Sequence, residues 1–495
     1  MSERITVRFA PSPTGPLHIG GVRTALYNFF YAKKNKGKFL LRIEDTDLTR
    51  KVEGAEEHII ESLKWVYVEW DEPPIRQSER VHIYQEFAKK LVEAGAAYYA
   101  FDTQEELEEM RIKLRSLGIP NPQYDYHTRN AMKNSLTLSP DEVRRKLANN
   151  EPYVIRLKVP ADSYIEFYDI VRGKISVFSR NVDDKVLIKS DGFPTYHLAS
   201  VVDDYLMGIT HVIRGEEWLP STPVHVLLYE ALGIKDRMPV FAHLPLILKP
   251  EGEGKLSKRE AMEYGFPIYA VKWQQTNGYR EEGFLPEALI NYLVLLGWSP
   301  PSSKEIVSID EIVEHFDIKD VKKSGAHFSY EKLLWMNHQY LQKKTPEEIV
   351  PLMKKFMPAQ LNLSDEELVR LARVMGTRAR TLKEFFTASY LFEWNQEQAP
   401  ELVLTPQMSE ILNLLLQKLP DENLLPEQIH EIINEVIKSV NIKKGEGFKL
   451  IRMVITGVES GPPLHEIVHF IGVDETKKRI SYVLKKHNAL QNRTE

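Results

Sequence analysis

The sequence predicts an α/β protein: a doubly wound parallel sheet with an inserted α+β section, followed by an all-α C-terminal region. Three observations predict it. The chain opens on a strand–loop–helix–strand unit, a section of different character interrupts the alternation, and helical spacing dominates after Pro286.

Ile5–Phe9 is a short β-rich run, and Pro11, Pro13, Gly15 and Pro16 then make a rigid loop ending at Gly20-Gly21. From Val22 to Lys34 the apolar residues Val22, Ala25, Leu26, Phe29 and Phe30 recur at helical spacing, and Gly37 closes the helix. Phe39–Ile43 is apolar except for Arg42, as a buried parallel strand should be. Together these form a βαβ unit, the building block of a doubly wound nucleotide fold. From about 80 to 190 the pattern changes: helices at 81–95, 103–117 and 139–149, a Pro/Asn turn at 120–122, and strands near 152–159 and 185–189. Alternation resumes with Tyr196–Val202, Thr210–Arg214, a helix over Thr222–Leu232 and a strand over Leu244–Leu248. The sheet is thus expected to restart near residue 195. Beyond Pro286, Pro and Gly punctuate a helical chain.

With 495 residues the chain exceeds a single core, and its 43% hydrophobic and 27% charged content is that of a soluble globular protein. No apolar run reaches the length of a membrane span, and the N-terminus lacks a signal-peptide apolar core. The absence of cysteine excludes disulfides and thiolate metal sites, and a reducing cytoplasm is the expected location. A net charge of −5 argues against nucleic-acid binding, but its distribution argues the other way. Arg370, Arg373, Arg378, Arg380 and Lys383 form one basic cluster, Lys443, Lys444, Lys449 and Arg452 a second, and Lys477, Lys478 and Arg479 a third. Each alone reads as a solvated helix face; three in one region tilt toward a polyanionic partner.

Two segments carry chemistry. Pro11–Gly21 lies between strand and helix, where unpaired amides and the helix dipole attract phosphate. Gly20 and Gly21 permit close approach of a ligand, and His18 can donate to a phosphate oxygen. Lys255-Leu256-Ser257-Lys258-Arg259, preceded by Glu251-Gly252-Glu253-Gly254, suits a mobile cationic loop closing over a triphosphate. Taken singly, the first is as readily a structural Pro/Gly turn and the second a solvated loop.

The pair resembles the class I aminoacyl-tRNA synthetases: Pro11–Gly21 stands where they carry the H-I-G-H signature, and Lys255–Arg259 where they carry K-M-S-K-S. Arg8–Gly15, Arg42-Ile43-Glu44-Asp45-Thr46-Asp47, Tyr196-His197-Leu198 and Val212–Glu217 narrow this to a resemblance to the bacterial glutamyl-tRNA synthetases, from Arg4 to the helical C-terminus. The resemblance implies a Rossmann-like catalytic domain in two halves, 1–80 and 195–250, around an acceptor-stem-binding domain, 81–194. A KLSKR-loop and stem-contact domain (251–330) and two helical anticodon-binding domains (331–385 and 386–495) would follow. It also implies activation of L-glutamate with MgATP and transfer to tRNA(Glu), with activation requiring the RNA, by a protein that is typically a monomer.

Residue by residue, the resemblance assigns ATP to Pro11, Ser12, Gly15, His18, Gly20, Gly21, Lys255, Ser257, Lys258 and Arg259, with His18, Lys255 and Lys258 catalytic. Glutamate falls to Arg8, Ala10, Ser12, Glu44, Tyr196 and Arg214, Glu44 suiting the substrate ammonium group. Independently of the family, a buried Arg8 requires an anion, and an ion pair with Glu44 or Asp45 is an equal alternative. Arg378 and Arg380 are the expected tRNA contacts, Arg378 as reader of the third anticodon base.

Departures are informative. The signature ends in Gly21 rather than histidine, a variant of the glutamate branch. Where some relatives bind zinc through cysteines this chain has Tyr98, Tyr99 and Phe101, so no zinc is expected. Ser200 stands where relatives often have asparagine, which weakens the case for a contact there. The competing readings are an enzyme that also charges tRNA(Gln), a small-molecule adenylyltransferase of the same nucleotide fold, and a non-catalytic RNA-binding relative. Glutaminyl-tRNA synthetase is the nearest same-class rival, but its anticodon part is β-rich.

Overall fold

Strand β1 (Thr6–Phe9) is buried at every position, and α1 (Ile19–Lys34) carries the chain across to β2 (Lys38–Ile43), which pairs with β1 in parallel from Thr6↔Lys38 to Phe9↔Leu41. After α2 (Ala55–Trp65), β3 (Ile75–Arg76) adds to β2, again in parallel. In this computed structural model, which describes residues 4–394, 399–422 and 424–491, the chain divides into two compact units. The first joins Met1–Tyr279 to Leu289–Ser329; the second joins Arg280–Ala288 to Tyr330–Glu495.

In the first unit, α3 (Val81–Glu93) leads to β4 (Ala97–Ala100), α4 (Gln104–Ser116), α5 (Pro140–Ala148) and β5 (Val154–Leu157). A hairpin of β6 (Tyr164–Asp169) and β7 (Gly173–Phe178) precedes β8 (Val186–Ile188). Strands β4, β5 and β8 form a separate antiparallel sheet. Tyr98 and Ala100 of β4 lie in the core against this sheet. Tyr98 packs with Ala100, Leu107 and Tyr124, and its hydroxyl donates to Asp184 (2.6 Å), which also pairs with Arg129.

Helix α6 (Tyr196–Leu206), β9 (His211–Gly215), α7 (Thr222–Ala231) and β10 (Val240–Leu244) complete the central layer. β10 lies between β9 and β6, parallel to both. The Thr210 N–H donates to the Thr6 carbonyl and the Thr6 N–H to Thr210 Oγ1, both at 2.9 Å, so β9 begins alongside β1. The layer therefore runs β3-β2-β1-β9-β10-β6-β7, with its order reversing between β1 and β9. At such a switch point the carboxyl ends of the strands leave a crevice for ligands.

The sheet departs from the sequence pattern in two places. It is rejoined at Tyr164 rather than near 195, because the inward residues of β6, Ile165 and Phe167, pack into the main core. The strand expected over Leu244–Leu248 is split at Pro245 into β10 and β11 (Ile247–Leu248), since proline cannot supply a ladder N–H.

Helix α8 (Lys258–Glu263) follows; α9 (Pro286–Leu295) crosses the boundary between the units; α10 (Ile309–His315) and β12 (Ala326–His327), parallel to β11, finish the first unit. The second unit contains α11 (Tyr330–Gln342), α12 (Pro346–Met353), α13 (Asp365–Gly376), α14 (Pro406–Lys418), α15 (Pro426–Ser439), α16 (Lys444–Thr456), α17 (Leu464–Ile471) and α18 (Val473–Gln491). Their apolar stripes meet in one core that includes Leu368, Leu371, Ile411, Ile433, Val454 and Ile467. Among the described residues, no helix is long and apolar enough to cross a membrane.

Candidate active site

A cavity of about 530 Å³ opens at the carboxyl ends of β1 and β9, within the size range of small-molecule sites. It is lined by the whole run from Arg8 to Pro11, by Ser12, by the loop from Thr14 to Gly21, and by Glu44, Tyr196, Arg214 and Lys255. Residues that are far apart in sequence thus share one space.

The first loop is held by backbone bonds to its neighbours. The Glu44 N–H donates to the Pro11 carbonyl (2.9 Å), the Val52 N–H to Pro13 (3.0 Å) and the Ile19 N–H to Ile268 (2.9 Å). His58 Nδ1 accepts from the Leu17 N–H at 3.1 Å. His18 is the N-cap of α1, its Nδ1 accepting from the Gly20 N–H at 3.0 Å. That bond places the proton of the neutral ring on Nε2, ready to donate. Enclosure by protein, then the nearby Lys255 charge, lowers the His18 pKa, partly offset by Glu217, so the ring is neutral at pH 7. A methyl group at Gly20 would meet the His18 ring at 2.8 Å, and one at Gly21 would meet the end of the Leu17 side chain. A side chain at either position would displace its neighbour, His18 or Leu17.

The floor of the cavity is a buried charge cluster. Arg8 Nε donates to Asp204 Oδ1 (2.9 Å) and Nη2 to Oδ2 (3.3 Å); Arg42 Nη1 donates to the same Oδ1 (2.6 Å) and its Nη2 to Glu44 Oε1 (3.0 Å). Two arginines and two carboxylates balance. The partner of Arg8 is thus Asp204, not Glu44 or Asp45, and its Nη1 group makes no hydrogen bond among the described residues. Burial raises the Glu44 pKa, against the pull of Arg42 and Arg8. Ser200 is buried and accepts from Arg42 Nη2 at 3.3 Å, a structural role.

Arg214, at the end of β9, is 5% exposed. Its Nε donates to His243 Nε2 (3.0 Å), its Nη2 to Thr222 Oγ1 (2.9 Å) and the Trp218 carbonyl (3.3 Å), and its Nη1 to the Tyr196 hydroxyl. Tyr196 in turn packs its ring 4.6 Å from that of Trp218.

The lysine-bearing pentamer divides. Lys255 borders the cavity and pairs with Glu217 (2.7 Å). Ser257, Lys258 and Arg259 are not among the lining residues. Ser257 forms a capping box with Glu260 at the start of α8, and Arg259 pairs with Glu263 (2.9 Å), so both are engaged locally. Lys258 stands over the Tyr269 ring at 5.7 Å, and the Tyr269 backbone pairs with that of His18, which puts Lys258 beside the loop wall. Sequence reading missed Arg23, Glu217 and Trp218 among the lining residues. Glu217 and Trp218 follow Arg214 closely, so the run after β9 carried the signal; Arg23 sits inside a helix and gave none.

The basic clusters of the C-terminal unit are mostly occupied. Arg479 turns inward, donating to the Tyr390 and Ile455 carbonyls (both 2.9 Å), and Lys477 pairs with Asp421. Arg380 pairs with Glu331 and Glu384, and Lys383 with Glu282. Arg378 is exposed and has no ion pair or side-chain hydrogen bond among the described residues.

The doubly wound sheet thus carries a histidine-capped helix at its switch point, with a lysine-bearing loop beside the same cavity. Residues 4–335 match the family described as tRNA synthetases class I (E and Q), catalytic domain, and residues 348–484 match the anticodon binding domain. The chain is 46% identical to the glutamate–tRNA ligase of Amoebophilus asiaticus, covering 98% of this chain and 99% of the relative. It is 43% identical to that of Cytophaga hutchinsonii, covering 98% of each. Among solved structures, a glutamate tRNA ligase from Elizabethkingia meningosepticum in complex with its amino acid superposes with a TM-score of 0.90 at 43% identity, over 98% of this chain and 99% of that one. The glutamate–tRNA synthetase of Elizabethkingia anophelis gives 0.89 at 44% identity, over 98% and 100%. The chain belongs to the glutamate–tRNA ligase family of the class I tRNA synthetases.

Proposed function

We propose that this protein activates L-glutamate with MgATP and transfers it to the terminal adenosine of tRNA(Glu). The observation that carries the reading is the shared cavity: His18 and Lys255, suited to phosphates, face the same space as Arg8, Glu44 and Arg214, suited to an amino acid with an acidic side chain. Magnesium enters as the complex with ATP, so no resident metal site is needed.

In this reading the free Nη1 of Arg8 and the cavity-facing edge of Arg214 receive the side-chain carboxylate, while Glu44 receives the ammonium group. The glutamate α-carboxylate attacks the α-phosphorus in line and pyrophosphate leaves. His18 Nε2–H and the first amides of α1 hold the phosphates, Lys255 faces them across the cavity, and Lys258 neutralises the charge that develops as pyrophosphate departs. ATP displaces Glu217 from Lys255, and Lys258 swings from Tyr269 onto the phosphates. The 2′-hydroxyl of the tRNA's terminal adenosine then attacks the mixed anhydride. Neither step requires a protein nucleophile; catalysis is positioning and charge stabilisation. Residues 81–194, apart from the hairpin of β6 and β7, hold the acceptor stem, 251–330 bear the mobile loop and touch the stem, and the helical segments 331–385 and 386–495 read the anticodon, with Arg378 at its third base and Arg380 beside it.

ATP–pyrophosphate exchange across the twenty amino acids, with and without tRNA, tests this. Exchange driven by glutamate, and only with tRNA present, is expected. Exchange driven by another amino acid, or none with any, overturns the reading.

A further inference from the structure

Behind Arg214 lies a chain of buried polar groups that crosses three neighbouring strands and that nothing in the proposed reaction uses. His243 on β10 is the register partner of Arg214 on β9, and Asp169 ends β6 on the other side of β10. The side chains of His243 and Asp169 have no exposed surface.

The directions of these hydrogen bonds are fixed by chemistry. An arginine Nε–H can only donate, so His243 Nε2, 3.0 Å away, must accept. The ring proton therefore sits on Nδ1, which lies 2.6 Å from Asp169 Oδ2. Asp169 is surrounded by donors: the backbone N–H groups of Val171 (3.0 Å), Arg172 (2.8 Å) and His243 (3.1 Å), besides the imidazole. The carboxylate is thus the origin of an ordered relay in which each group sets the direction of the next. A guanidinium has five N–H donors. Four of those of Arg214 go to His243, Thr222, Trp218 and Tyr196, leaving one Nη1–H on the edge that lines the cavity.

We infer that Asp169 and His243 are positioning residues for amino-acid selectivity: together they fix the imidazole tautomer that aims the last free N–H of Arg214 at the substrate side chain. The inference rests on the proposed role of Arg214 as a glutamate contact. It makes a specific demand on Asp169 that packing does not. In Asp169→Asn the amide oxygen is claimed by Val171 and Arg172, which turns the amide NH₂ toward His243. Nδ1 must then accept, the proton moves to Nε2, and two donors face each other between His243 and Arg214. His243→Gln should behave oppositely, since its amide oxygen reaches the place of Nε2 and accepts from Arg214 without any help from residue 169.

The test is glutamate-dependent ATP–pyrophosphate exchange in the presence of tRNA, on the full chain, for wild type, Asp169→Asn, His243→Ala, His243→Gln and the Asp169→Asn/His243→Gln double variant. Asp169→Asn and His243→Ala should each raise the KM for glutamate about 10- to 100-fold, the range expected for one lost charge-assisted hydrogen bond. The KM for ATP should stay within about twofold. His243→Gln should lie within about threefold of wild type for glutamate, and adding Asp169→Asn to it should change little, because no tautomer remains to be set. The inference is overturned if both KM values rise together, if Asp169→Asn leaves the glutamate KM unchanged, or if His243→Gln is as impaired as His243→Ala. Should Asp169→Asn not fold, the contrast between the two His243 variants decides alone. Failure of the wild type to exchange with glutamate would instead strike the proposed function.

Discussion

Replacing Asp204 by asparagine should cost the catalytic unit about 3–5 kcal/mol, the penalty for breaking buried ion pairs by removing one partner. The magnitude follows from the arrangement. Asp204 accepts three hydrogen bonds, two from Arg8 and one from Arg42, and the side chains of the three residues are at most 4% exposed. Without the Asp204 charge, Arg8 and Arg42 keep only Glu44 as an ion-pair partner among the described residues. Against a domain stability of about 5–15 kcal/mol, the loss is large. Chemical denaturation at pH 7, following the transition of the first unit, measures it. The pH dependence supplies an independent check. Burial pushes the Asp204 pKa up, but Arg42 and Arg8 more than offset it and hold the carboxyl below its ordinary value. A depressed folded-state value means that the stabilisation is complete above the unfolded value, about 3.9, and is lost as pH falls through the folded one. The gap between wild type and variant should therefore be full at pH 7 and close below about pH 4. A variant within about 1 kcal/mol of wild type at pH 7, or a gap that widens on acidification, would refute the reasoning.

Three further outcomes are expected. His18→Ala should reduce the rate of activation about 10²–10³-fold, as loss of a preorganised donor does, and cost about 1 kcal/mol of stability for the missing cap of α1; pre-steady-state kinetics and thermal melting check both. Lys258→Ala should collapse activation by a similar factor with an unchanged melting temperature, since its side chain is exposed and makes no ion pair or side-chain hydrogen bond among the described residues; wild-type turnover would remove it from the mechanism. Arg378→Gln should alter discrimination between glutamate and glutamine tRNAs while leaving tRNA-independent stability untouched, as measured by charging of the two RNAs side by side.

Much of the site was legible because it is local. The helix-opening loop, with its prolines, glycines and histidine, announces its geometry within Pro11–Gly21, and the βαβ pattern places it at a strand end. The partner of Arg8 was not legible, because Asp204 lies 196 residues away and only folding brings them together. Two consecutive acids, Asp203 and Asp204, in an otherwise apolar helix were the one hint that cations are buried nearby. Ser257 carries a second local signal: Ser257-Lys258-Arg259-Glu260 is also a capping box, and the serine opens α8. The hairpin of β6 and β7 is hard to read although Tyr164–Asp169 alternates, because its outward tyrosines resemble core residues in composition. Basic clustering misled for Arg479, since spacing along a helix cannot distinguish a cation facing solvent from one satisfying inner carbonyls.

The central claim is that the loop after the first strand and the distant lysine-bearing pentamer serve one triphosphate. ATP carrying a lysine-reactive aldehyde on its terminal phosphate tests it most directly, with the modified residue located by peptide mapping. The account predicts labelling at Lys255 or Lys258, suppressed by unmodified ATP and slowed in His18→Ala. Labelling of lysines elsewhere, or labelling indifferent to ATP and to His18, would contradict it.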